Sequence, residues 1–135
     1  MKLEDIEGVG PAAAKKLRGA GVRSTASLLA KGATAKGRKE IAAGAGVAEK
    51  SILEWVNRCD LMRVKGVSTQ YSDLLEAAGV DSPTELAQRN AKALAQKCAE
   101  VNAKGRQRIV RRVPPEKVVA DWIAQAKKLP KVVKH

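Results

Sequence analysis

A chain of 135 residues with 26 Lys and Arg against 14 Asp and Glu has a formal net charge of +12 and is expected to meet a polyanion, while 44% hydrophobic residues exclude a disordered basic tail. No apolar run approaches the roughly 20 residues of a membrane helix, and the opening Met1-Lys2-Leu3-Glu4-Asp5 is unlike a signal peptide, so the expectation is a soluble cytoplasmic protein. Cys59, Cys98 and His135 are too few for a Cys/His zinc site, and the two cysteines, set among apolar residues at helical spacing, are expected to be buried thiols in a reducing compartment.

The first informative element is Ile6-Glu7-Gly8-Val9-Gly10-Pro11-Ala12-Ala13-Ala14-Lys15-Lys16-Leu17. Glycine at both ends of the turn allows positive φ there, and it leaves N–H groups accessible beside a helix N-terminus, where phosphates bind. Pro11 suits the first helical position, where its missing N–H has no intrahelical partner. The helix over 12–20 turns Leu17 inward, and Gly21 is placed to end it. The acids Glu4, Asp5 and Glu7 read as ordinary helix electrostatics.

Next, Ile52, Trp55, Val56, Cys59 and Met62 form one apolar stripe on a helix expected to run through residues 60–64 into a second turn, Val64-Lys65-Gly66-Val67-Ser68. At Gly79-Val80-Asp81-Ser82-Pro83-Thr84-Glu85, Ser82 with Glu85 makes a capping-box pattern and Pro83 takes the first helical position. From 89 to 112 eight basic residues face the single acid Glu100, with Arg106, Arg108, Arg111 and Arg112 the densest part of a surface loop before Pro114-Pro115. A last stripe, Val118, Val119, Trp122, Ile123 and Ala126, predicts a closing helix. No segment alternates with a strand period, so the chain reads as all-α with about nine or ten short helices.

Laying Gly8 on Gly66 also matches Val9 with Val67, Leu17 with Leu75, Ala20-Gly21-Val22 with Ala78-Gly79-Val80, Ser24 with Ser82 and Leu28 with Leu86. Later the register slips, and Trp55-Val56 matches Trp122-Ile123. An internal duplication accounts for this, the second copy having gained residues near 102–112. Residues 1–60 then form the first repeat and 61–135 the second, sharing one core.

Ile6, Gly8, Val9, Gly10, Ala14 and Leu17 resemble the helix-hairpin-helix motif position by position. Nearly the whole chain, including Lys36-Gly37-Arg38-Lys39, Leu53-Glu54-Trp55-Val56-Asn57-Arg58, residues 79–90 and Val119-Ala120-Asp121-Trp122-Ile123, resembles a family of tandem helix-hairpin-helix proteins known as domain of unknown function 4332. The resemblance implies a SAM-like helical fold with two hairpins whose N–H groups hold phosphate oxygens, a contact that reads no base. It makes Gly8, Val9 and Gly10 phosphate donors with Lys15 and Lys16 adding charge. In the second hairpin Gly66, Val67 and Ser68 take the same positions, but Ser68 replaces a glycine and Asp73 stands where the first copy has Lys15. The second hairpin is therefore expected to be mainly structural.

With no Phe, one Tyr and two Trp on apolar faces, the chain lacks a stacking platform for single strands. Trp55, Trp122 and Tyr71 are expected to pack. No catalytic set can be assembled and no cofactor is required. The expectation is a non-enzymatic binder of double-stranded DNA through its phosphates; the alternatives are a SAM-like protein-interaction module and an RNA- or ribosome-associated basic protein.

Overall fold

A computed structural model describes residues 1–105 and 108–135, and among these no strand occurs. A short 3-10 helix, Leu3–Asp5, precedes eight α-helices: α1 Pro11–Gly19, α2 Thr25–Lys31, α3 Ala35–Ala45, α4 Glu49–Leu61, α5 Thr69–Ala77, α6 Pro83–Ala87, α7 Ala91–Lys104 and α8 Glu116–Lys128. The chain divides into two compact units, residues 1–60 with 132–135, and residues 61–131.

In the first unit α1 and α2 pack on α3, and the 3-10 helix packs on α1. Ala14 and Leu17 are fully buried on α1. Beyond the helix, Gly21 takes a φ of 89°, the N–H of Val22 reaches the carbonyl of Leu17 at 2.9 Å, and that of Gly21 reaches Arg18 at 3.0 Å. This pair of bonds is a Schellman ending, and the left-handed residue it needs explains the glycine. Ser24 then caps α2 through Ser27 N–H, and Thr34 caps α3 through Gly37 N–H, each at 3.1 Å.

The first unit is completed by the last residues of the chain. Val133 is 1% exposed, and Lys134 N–H donates to Ala33 O at 2.7 Å. Buried Arg38 grips both sides of this contact, donating to Gly32 O and to Lys134 O at 2.9 Å each. The His135 ring nitrogen Nε2 lies 2.9 Å from Asn57 Oδ1. An arginine excluded from water is tolerated because its forked donors meet carbonyls that would otherwise lack partners.

In the second unit α8 packs on α6 and α7, and α5 on α7. Their apolar faces meet in one cluster that includes Leu74, Leu75, Leu86, Leu94, Val119 and Trp122. Gly79 has a φ of 93°, and Val80 N–H reaches Leu75 O at 2.8 Å, the same Schellman ending as at Gly21. Ser82 caps α6 through Glu85 N–H at 3.1 Å, whereas the Glu85 carboxylate turns to Arg89 Nε at 3.1 Å instead of back to Ser82. Only half of the expected capping box is used.

Two local expectations differ. The helix carrying Trp55 stops at Leu61, and residues 62–66 turn, with Val64 N–H on Leu61 O at 3.1 Å. Val64 leaves the helix because its buried side chain belongs to the second unit's cluster. Val118, read as part of the last stripe, is 37% exposed at its rim.

Candidate nucleic-acid interface

The first turn links the 3-10 helix to α1. Gly8 takes a φ of 89°, a region that side chains disfavour, and Val9 points inward while its N–H bonds Ile6 O at 3.0 Å. Gly10 departs from the expectation of two left-handed glycines: its φ of −87° and ψ of −178° are extended backbone, open to any residue, because it is the N-cap of α1. A Cβ added to Gly10 would meet nothing within 4 Å. What glycine does there is to leave the helix end uncapped. No side chain accepts from the first turn of α1, and among the described residues the N–H groups of Gly8, Gly10, Ala12 and Ala13 have no acceptor.

The second turn repeats the backbone but not this opening. Gly66 has a φ of 95°, and Val67 is buried with its N–H on Val64 O at 3.1 Å. Ser68, at a φ of −81° and ψ of 178°, superposes in conformation on Gly10, and its hydroxyl accepts from Tyr71 N–H at 3.2 Å. The chain has closed this helix end with its own oxygen.

Both turns are held from beneath by a tryptophan and the residue one turn after it. Trp55 Nε1 lies 3.4 Å, and Arg58 Nη1 3.3 Å, from the point a Cβ would occupy on Gly8. The Arg58 guanidinium donates to Glu7 O at 2.5 Å. Under the second turn Trp122 Nε1 lies 3.1 Å from the corresponding point on Gly66, and the Gln125 amide bonds Lys65 N–H at 2.9 Å and Lys65 O at 3.0 Å. Sequence reasoning took both tryptophans as core, which their burial supports, and missed Arg58 and Gln125. The legible signal was the shared spacing of Trp55 to Arg58 and Trp122 to Gln125.

Charge divides between the units. Lys15 and Lys16 are exposed one turn into α1 and have no ion-pair partner among the described residues. Arg18 pairs with Glu4 at 2.6 Å, and that hydrogen bond holds the Glu4 carboxyl below its ordinary range. Arg108, Arg111 and Arg112 are exposed in the second unit. Arg106 lies outside the described residues. Their loop is anchored at buried Val110, whose N–H and carbonyl both bond the Asn102 side chain, at 3.0 and 3.1 Å. Tyr71, whose ring packs 5.2 Å from that of Trp122, donates its hydroxyl to Arg112 O at 3.0 Å. The basic loop is thus tied to the helix that follows Ser68, while Lys15 and Lys16 accompany Gly8 and Gly10.

Both thiols are buried and free. Burial pushes Cys59 up to about 12, with the Asp60 charge adding to it, and Cys98 up to about 11, against an ordinary 9.0. Neither is a nucleophile at neutral pH.

No curated protein and no solved structure matches the chain significantly. A match to one family covers residues 7–129, almost the whole of both units and both turns. The chain belongs to the family described as Domain of unknown function (DUF4332).

Proposed function

We propose that the chain is a tandem helix-hairpin-helix protein of SAM-like fold, built by duplication, that binds the phosphate backbone of double-stranded DNA without reading its sequence and catalyses no reaction. The duplication accounts for the paired φ values at Gly8 and Gly66, the paired Schellman endings and the paired tryptophans. The reading as a binder rests on one observation, the uncapped N-terminus of α1 at Gly10 beside the exposed amines of Lys15 and Lys16. Unpaired N–H groups at the positive end of a helix dipole suit a phosphate oxygen. The capped α5 has no such opening, so its hairpin acts mainly as scaffold, and the arginines at 106, 108, 111 and 112 add a broad electrostatic attraction.

Binding to a mixed-sequence duplex at several salt concentrations tests this. With about five phosphates neutralised, log affinity should fall with log salt at a slope of about −4 to −5. The variant Gly10→Asp places a carboxylate at the helix end and should abolish binding while the fold persists. Arg111→Glu/Arg112→Glu should weaken it at every sequence alike. Absence of duplex binding at low salt, or stronger binding to structured RNA, overturns the proposal.

A further inference from the structure

Trp55 is 7% exposed, packed among the apolar residues of the first unit. Its indole nitrogen nevertheless has no acceptor among the described residues and is not sealed from the surface. Buried indoles usually direct this donor at a partner. Here it lies at the turn, 3.4 Å from the point where a Cβ would stand on Gly8, with Arg58 Nη1 at 3.3 Å from the same point. Around Gly8 the protein therefore gathers the main-chain N–H groups of the turn, an indole N–H and a fixed positive charge. Such a set of donors is complementary to a tetrahedral oxyanion.

The second turn provides an internal comparison. Trp122 is 1% exposed, and its Nε1 is likewise without an acceptor beside Gly66. The position equivalent to Arg58 is the neutral Gln125, whose amide is occupied by Lys65 N–H, Lys65 O and the Asp121 carboxylate. Ser68 takes up the helix end. Of the two turns, the one at Gly8 brings the indole, the Arg58 guanidinium that holds Glu7 O, and open main-chain donors together among the described residues.

We infer that Trp55 donates its indole N–H to the same phosphate group held by the Gly8 and Gly10 main chain. Arg58 is the positioning residue, fixing Glu7 O so that the turn faces the ligand and placing its charge next to it. This inference rests on the reading of the first turn as a phosphate site. It makes a core tryptophan part of the ligand shell, and the two turns differ by what stands beneath them as well as by Gly10 and Ser68.

The two tryptophans give two indole cross-peaks in a proton–nitrogen spectrum of the full chain. On titration with a short mixed-sequence duplex at low salt, the Trp55 peak should shift in step with the amides of Gly8 and Gly10, and the Trp122 peak should stay. Trp55→Phe keeps the buried ring without the donor and should bind the duplex about tenfold more weakly. If that variant does not fold, the Trp55 peak is assigned in the wild-type chain through its proximity to the Gly8 protons, and the titration still decides. A duplex that binds and shifts the Gly8 and Gly10 amides but leaves the Trp55 indole unmoved overturns the inference and leaves the proposed function standing. No binding at low salt overturns both.

Discussion

Gly8 and Gly10 show how differently two neighbouring glycines are constrained. At Gly8 any side chain must adopt a φ of 89° against Trp55 and Arg58. Gly8→Ala is therefore expected to cost about 1–2 kcal/mol, read as a lower urea midpoint, while Gly10→Ala meets no strain and should lose only the N-cap preference for glycine, about 0.5–1 kcal/mol. The sequence marks both as turn glycines because no side chain distinguishes them, and only the backbone shows that the second is an extended helix cap. The thiols give a second prediction at this scale. An unfolded cysteine ionises near 9.0, whereas folded Cys98 and Cys59 hold their protons to about 11 and about 12. The unfolded state thus releases protons first, and stability that is complete below about pH 9 is lost as pH rises through the folded values. Urea midpoints measured from pH 8 to 10.5 should fall, and less steeply in Cys59→Ala/Cys98→Ala.

Helix α1 and helix α5 begin with the same backbone and differ in one oxygen. Installing that oxygen at the first turn, as Gly10→Ser, should raise stability by about 0.3 kcal/mol and weaken duplex binding, because the cap competes with the ligand for the same N–H groups. Thermal melts and binding isotherms would move in opposite directions; parallel movement would count against a phosphate at this helix end. The ends marked by Pro11, Gly21, Ser82 and Pro83 were legible in the sequence, since each acts within a few residues of where it stands, whereas the Thr34 and Asn90 caps were not read. The supports beneath the turns were not, because Arg58 and Glu7 meet only after α4 has folded back. Asn102 was hidden for a similar reason. On a helix face it looks like a surface amide, yet it carries both main-chain bonds of Val110. Asn102→Ala should cost about 2–3 kcal/mol by leaving that buried peptide unpaired and should speed amide exchange through residues 108–112.

On the scale of the whole chain, the second unit is inserted in the first: residues 61–131 form one, and residues 132–135 return to the other. Composition and repeats suggested a boundary near 60 but could not show the return, because Val132, Val133, Lys134 and His135 carry no pattern of their own and gain meaning only from Ala33, Arg38 and Asn57. Removing residues 132–135 exposes the Val133 pocket and deprives Arg38 of one acceptor, so the first unit should lose about 2–4 kcal/mol. Hydrogen exchange should report that loss in α1–α4 and leave α5–α8 unchanged.

That returning tail also has a consequence in time. Chains are made from the amino end, and domains generally fold in the order in which they are synthesised. Here the unit containing Met1 lacks the Val133 packing and one acceptor of Arg38 until residues 132–135 have left the ribosome, whereas every residue of the other has by then emerged. The unit begun first is expected to mature last, its α1 turn waiting on four residues that are translated only after the whole of the other unit.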